Sequence, residues 1–256
     1  MTAAEEDRLG LRARLRRYPV ARYPVQHATT QFHLAMALLD EGQVAAALDA
    51  LAVARQVFAQ VGMPLEQAKA TALLGVALRG AGRLSEASAA LLEASTAFTA
   101  LSQPVEDAAA SYNLGLVRRD CGELDGARAA WTRARGLFLA GGHLAHAAAA
   151  AREHGTLLLT SDDAAAALPL LEDAAALCER AGDAVGLAAA TNVLGLAHLA
   201  AGDPVAAATA FRQALGSSPR RVRPGEHAMA KANLALAHEQ AGEQARARLA
   251  ARQALA

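Results

Sequence analysis

Five glycines in this sequence are separated by forty residues or by a multiple of forty. They are Gly42, Gly82, Gly122, Gly202 and Gly242, and Asp162 occupies the missing position of the series. A fixed period of this length is typical of stacked-repeat proteins, in which one helical hairpin buries its apolar face only against its neighbours. The spacing therefore predicts a solenoid, and we expect its function to reside on a surface.

The residues on both sides of each glycine repeat with the period of an amphipathic helix. Two of the copies read VALRGAGRLSEASAALLEA and LAHLAAGDPVAAATAFRQA. The chain of 256 residues is 54% hydrophobic but only 4% aromatic, and its commonest apolar residue, alanine, is the best helix former. Each copy is therefore predicted to be a helix, a tight turn and a second helix, in an all-α fold.

Two positions of the repeat predict how the helices pack. The second helix carries a large residue between two alanines, at Leu51, Leu91, Trp131, Leu171 and Phe211, with Ala251 in the last copy. The first helix carries a small residue at Ala35, Gly75, Gly115, Gly155, Gly195 and Ala235. Because an interior glycine costs about 1 kcal/mol relative to alanine, its recurrence predicts close helix contact. We expect the last repeat to pack more weakly.

A third position carries Tyr18, Phe58, Phe98, Phe138, Cys178 and Ser218, which we interpret as a packing row rather than a ligand box. With Leu11 in the large-residue position, the register extends upstream of the first full repeat. We predict an N-terminal half-repeat helix and linker at 1–25 and six tandem hairpins at 26–256, forming one continuous solenoid domain. The closing segment LAARQALA has no polar cap, so we expect a partner or a second copy to cover it, or the chain to be part of something longer.

Charge and motifs exclude several classes of function. The 25 basic and 25 acidic residues cancel, so no net field attracts nucleic acid or an anionic membrane. The N-terminus has no signal-peptide pattern and no apolar run is long enough to span a membrane, which predicts a cytoplasmic protein. We find no catalytic motif, and His143 and His146 lack further metal ligands nearby. We therefore predict no enzyme activity, no cofactor and no metal.

The repeat resembles the tetratricopeptide pattern W-x2-L-G-x2-Y, then G, then A-x3-F-x2-A, over almost the whole chain. The period is forty rather than thirty-four, and the Trp and Tyr positions are mostly not aromatic. The longer period is similar to the repeats of kinesin light chains, Leu-Gly-Asn-type adaptors and the sensor regions of bacterial transcription regulators. The resemblance implies a right-handed superhelical solenoid whose first helices form a concave, peptide-binding wall.

Carried onto this sequence, the resemblance implies a peptide-binding site on that wall. Its residues are Phe32, Met36, Lys69, Arg79, Tyr112, Asn113, Arg119, Arg152, Thr156 and Asn192. Arginine binds carboxylates bidentately, so Lys69, Arg79, Arg119 and Arg152 either receive acidic groups of a ligand or are an ordinary solvated set of charges. An asparagine amide both donates and accepts hydrogen bonds, which suits a ligand backbone.

Three functions agree with these features. The first is a non-enzymatic adaptor that binds a protein or peptide with apolar and acidic residues, with self-association through the uncapped C-terminal repeat as a further possibility. The second is the sensory or autoinhibitory region of a bacterial signalling regulator. The third is a small-molecule or enzymatic groove at the irregular fourth repeat, where Arg152, Glu153 and His154 are adjacent.

Overall fold

The computed structural model describes residues 3–255, and every regular element among them is an α-helix. The helices are α1 (Ala3–Arg17), α2 (Pro24–Asp40), α3 (Val44–Gln60), α4 (Pro64–Gly80), α5 (Leu84–Ala100), α6 (Pro104–Asp120), α7 (Leu124–Ala140), α8 (Leu144–Thr160), α9 (Ala164–Ala181), α10 (Ala184–Ala200), α11 (Pro204–Ser217), α12 (Pro224–Gln240) and α13 (Gln244–Leu255). The predicted all-α fold of repeated helical hairpins is confirmed.

The forty-residue glycines end the first helix of each hairpin in the left-handed conformation. Gly42 has φ +73°, and the amides of Gly42 and Gln43 donate to the carbonyls of Leu39 and Leu38. This pattern satisfies carbonyls that the helix end leaves unpaired. Asp162, at the position without glycine, adopts the same conformation with φ +59°. The turn geometry is therefore kept even where a side chain makes it less favourable.

A second series of turns joins successive hairpins, and sequence inspection missed it. Gly62, Gly142 and Gly182 have positive φ, and Ser102 completes the series with φ +55°. This series lies twenty residues from the first, so the signal was present in the sequence.

Small residues on the first helices bring the large residues of the second helices into contact, as predicted. A Cβ atom added to Gly195 would lie 2.4 Å from Cε1 of Phe211, and one added to Gly75 would lie 2.6 Å from Cγ of Leu91. The large residues Leu51, Leu91, Trp131, Leu171 and Phe211 are fully buried. Ala251 is exposed, which agrees with weaker packing in the last repeat.

The chain divides into two compact units, 1–130 and 131–256. In unit 1 one core cluster joins Leu11 of α1 to Leu34, Ala35 and Leu51 of the first hairpin. In unit 2 another joins Phe211 to Leu234, Ala237 and Ala250. The predicted division into a half-repeat at 1–25 and six hairpins at 26–256 stays a prediction.

A buried polar cluster connects α5 to α6 within unit 1. Asp107 is only 2% exposed. Its carboxylate accepts hydrogen bonds from the hydroxyls of Ser95 at 2.6 Å, Thr99 at 2.8 Å and Ser111 at 3.3 Å. Because buried polar groups are costly unless they are paired, these contacts fix the relative position of two successive hairpins.

No helix in the described part of the chain is both long and apolar enough to cross a membrane.

Candidate functional site

The first helices α2, α4 and α6 of unit 1 line two neighbouring cavities, which we call the groove. The smaller cavity has a volume of about 160 Å³ and is lined by Thr29, Phe32, His33, Phe58, Glu66 and Lys69. The larger has a volume of about 260 Å³ and is lined by Phe32, Lys69, Ala72, Leu73, Val76, Phe98, Glu106, Ala109, Ala110 and Asn113. Phe32 and Lys69 line both cavities and therefore separate two successive depressions along the groove.

The groove has an apolar floor made by the aromatic packing row. Phe58 lines the smaller cavity and Phe98 the larger, and both side chains are buried, 3% and 2% exposed. The interpretation of this row as core agrees with the burial of Phe58, Phe98, Phe138, Cys178 and Ser218, whereas Tyr18 is only half-buried. Phe58 and Phe98 also contribute apolar surface to the two cavities.

Lys69 is the positive charge of the groove. Its side chain makes no ion pair or hydrogen bond with any residue that the structure describes. The sequence contains only two lysines, Lys69 and Lys231. Glu66 and Glu106 line the same cavities, so the groove presents one cation between two carboxylates above an apolar floor.

Two of the predicted wall arginines are engaged within the protein. The carboxylate of Asp120 accepts a hydrogen bond from Arg79 Nε at 2.7 Å through Oδ2, and from Arg119 at 3.1 Å through Oδ1. Partial burial acts to raise the pKa of Asp120, but the hydrogen bonds and charges of the two arginines outweigh it and lower the pKa. Asp120 therefore stays ionised and offsets half of the combined charge of the two arginines.

The remaining predicted residues of unit 1 are distributed over the same face. Asn113 lines the larger cavity, and its amide donates to the carbonyl of Ala109 at 2.9 Å, which leaves its side-chain oxygen as an acceptor. Tyr112 is half-buried beside it on α6. Met36 is 46% exposed and lines a different cavity, together with Leu11 and Arg14.

The predicted residues of unit 2 form internal contacts. Arg152 lies 3.0 Å from the carboxylate of Glu153, and the hydroxyl of Thr156 donates to the carbonyl of Arg152 at 2.7 Å. Asn192 is buried, and its side-chain oxygen accepts a hydrogen bond of 2.9 Å from the amide of Asn233. His154, which the third hypothesis places beside Arg152 and Glu153, also has an interaction partner within the chain.

Sequence inspection missed several residues of the groove. Leu73 and His33 occupy the same position of the repeat as Asn113, one residue after that of Phe32, so the forty-residue register could have identified them. Glu66 and Glu106 lie one turn before the wall positions and were not considered. Asp120 follows Arg119 directly in the sequence, but only the structure shows that it also reaches Arg79.

The fold is similar to that of several solved structures, one of which contains a tetratricopeptide repeat sensor. The chain is similar to BtubC (BKLC) from P. vanneervenii, with 17% identity, a TM-score of 0.72, and coverage of 84% of this chain and 89% of that chain. It is also similar to a signal transduction ATPase with numerous domains from Pyrococcus horikoshii that has a tetratricopeptide repeat sensor. There the TM-score is 0.80 and the identity 12%, with coverage of 90% of this chain and 36% of that chain.

A third similar structure is a Rap protein complexed with competence and sporulation factor, with 14% identity, a TM-score of 0.64, and coverage of 98% of this chain and 70% of that chain. The predicted resemblance to tetratricopeptide-repeat proteins is confirmed for the fold. No protein-family model matches the sequence, and no curated protein sequence is significantly similar to it.

Proposed function

We propose that this chain is a non-enzymatic protein-interaction module that binds an extended segment of a partner protein in the groove. Apolar side chains of the segment enter the two cavities, and a carboxylate pairs with Lys69. The observation that carries the proposal is the pair of apolar cavities on either side of an ammonium group that has no partner within the described chain.

The size of the cavities favours a chain of residues over a compact small molecule. Small-molecule sites typically have volumes of about 300–1,000 Å³, whereas the two depressions measure about 160 and 260 Å³. Each accommodates one or two side chains. The two cavities follow one another along α2, α4 and α6, as neighbouring side chains of one bound segment do. The backbone of that segment donates a hydrogen bond to the side-chain oxygen of Asn113.

The charges refine the site that the sequence predicts. Arg79 and Arg119 share the carboxylate of Asp120, and neither arginine lines the two cavities. Lys69 is the cation that remains available in the groove. The partner segment is therefore proposed to carry one acidic residue flanked by apolar ones, rather than a long acidic run.

The proposal predicts which peptides bind and which substitutions abolish binding. Selection from a library of displayed random peptides against the intact chain should enrich sequences with an acidic residue next to apolar residues. Lys69→Glu should weaken the best of them by about tenfold or more, because an attraction becomes a repulsion, and should reverse the salt dependence of binding, because salt then screens a repulsion. Isothermal titration calorimetry at two salt concentrations measures both effects.

Matched controls come from the same chain. Lys231→Glu makes the same charge change on another first helix, α12, and should leave affinity within about twofold. Val76→Asp should abolish binding by placing a charge in the larger cavity, whereas Val205→Asp, at a position that is 71% exposed on α11, should not. Equal effects of Lys69→Glu and Lys231→Glu would contradict the proposed site.

A sensory role is the second candidate, and the similarity to the tetratricopeptide repeat sensor of the Pyrococcus horikoshii ATPase favours it. The same groove would then bind a regulatory segment instead of a segment of an adaptor's partner protein. An ATPase or DNA-binding protein encoded in frame with this chain, or beside it, would support the sensor. Selected peptides that match instead a protein unrelated to signalling would support the adaptor.

A further inference from the structure

A second, more polar cavity lies outside the groove, between α1 and α2. It has a volume of about 400 Å³ and is lined by Arg14, Arg17, Tyr18, Val25, Gln26, Thr29, Thr30 and His33. The cavity exists because α1 packs on α2 through Leu11 and Leu34, which places the last turn of α1 beside the first turns of α2.

Two guanidinium groups of the cavity pair with no carboxylate of the side chains that the structure describes. Among the side chains that the structure describes, those of residues 9–254, neither Arg14 nor Arg17 has an ion-pair or side-chain hydrogen-bond partner. The guanidinium carbon of Arg17 lies 5.8 Å from the centroid of the Tyr18 ring, which orients its side chain along the cavity wall. Asp40 lines an adjacent cavity that shares Arg14 and His33, but it does not bond either of them.

Neutral donors surround the two arginines. The side chains of Tyr18, Gln26 and Thr29 make no hydrogen bond within the described chain, so their hydroxyl and amide groups are available to a ligand. The Thr30 hydroxyl is already used, since it donates to the carbonyl of Gln26 at 2.6 Å. Two exposed guanidinium groups with three neutral donors match a tetrahedral anion, which has more acceptor oxygens than a carboxylate.

We propose that this cavity binds a small phosphorylated molecule, with its phosphate on Arg14 and Arg17 and its organic part against Tyr18 and Val25. A volume of about 400 Å³ exceeds what a phosphate needs and lies within the range of small-molecule sites, about 300–1,000 Å³. The ligand is therefore larger than the free ion. This site does not depend on the groove, although Thr29 and His33 line both.

The test measures binding of phosphate and pyrophosphate to the intact chain by calorimetry at constant ionic strength, with sodium chloride as the reference. We expect saturable binding, tighter for pyrophosphate. Arg14→Gln with Arg17→Gln should weaken it by at least about tenfold, since it removes charge-assisted hydrogen bonds. Arg12→Gln with Arg16→Gln removes the same charge from α1 at residues that do not line the cavity, and should retain binding.

Chemical shifts locate the ligand. Pyrophosphate should shift the backbone amides of Thr29 and His33 and leave those of unit 2 unchanged. Absence of saturable binding by either anion, or equal losses in the two double variants, would overturn the proposal. A phosphoserine peptide that binds more tightly than pyrophosphate would overturn the assignment to a small molecule and indicate a phosphorylated protein instead.

Discussion

Phe211→Ala is expected to lower the free energy of unfolding of unit 2 by about 3–5 kcal/mol, which is the usual cost of truncating a buried aromatic residue. Phe211 is fully buried and packs with Leu234, Ala237 and Ala250 in the core cluster that joins two hairpins. These neighbours are mostly alanines, which cannot fill the space that the ring leaves. Denaturant unfolding followed by circular dichroism measures the loss.

A double-mutant cycle tests whether Phe211 and Gly195 are matched. In the natural background Gly195→Ala should destabilise by about 1–3 kcal/mol, because the added Cβ would lie 2.4 Å from the ring. In the Phe211→Ala background the same change should be neutral or stabilising. Gly136→Ala is the control, since a Cβ there meets no atom within 4 Å, and it should stabilise by about 0.5–1 kcal/mol. Additive effects at Gly195 and Phe211 would contradict the packing described.

Asp107→Ala is expected to destabilise unit 1 by about 3 kcal/mol. The substitution removes the acceptor of three hydroxyl hydrogen bonds at a site that is 2% exposed. A typical hydrogen bond contributes about 0.5–1.5 kcal/mol net, so the loss of three gives an effect of this size. Asp107→Asn keeps one acceptor oxygen and should lose roughly half as much.

Asp125→Ala controls for the position of the carboxylate in a helix. Asp125, like Asp107, lies in the first turn of its helix, but its side chain is 99% exposed and its contact with Arg128 is 3.6 Å long. An exposed ion pair contributes about 0–1 kcal/mol, so the variant should unfold almost like the natural chain. If both aspartate variants lost the same stability, the buried hydroxyl cluster would not be the cause.

The forty-residue register predicted the parts of the fold that depend on backbone geometry and side-chain size. The turns at Gly42 and its equivalents, the buried residues such as Phe211 and the close contacts of Gly195 follow from which residue occupies each position. At Asp162 the repeat keeps the left-handed turn although no glycine is present. Packing of the flanking helices holds the left-handed turn, and a single aspartate tolerates that conformation.

Contacts between polar side chains could not be read from the register, because each repeat fills the same position differently. The position of Asp107 carries His27, Gln67, Ala147, Leu187 and His227 in the other repeats. His27 and His227 bond the backbone oxygens of Tyr18 and Ser218, whereas Asp107 bonds hydroxyls. The pairing of Arg79 with Asp120 likewise depends on the reach of a side chain from one repeat to the next.

The candidate groove depends both on the repeat register and on contacts that only the structure shows. The register identified Phe32, Lys69 and Asn113 as members of one wall, and the structure brings them together around the larger cavity. The small residues Ala72 and Ala109 line the larger cavity together with Phe98, and no single position of the repeat encodes that combination.

Modification of the two lysines by an amine-reactive reagent tests the groove most directly. Mass spectrometry follows the rates at Lys69 and Lys231 with and without the best selected peptide. We predict that bound peptide slows modification of Lys69 strongly and leaves Lys231 unchanged, because only Lys69 lines the groove. An unchanged rate at Lys69 while the peptide remains bound would contradict the account.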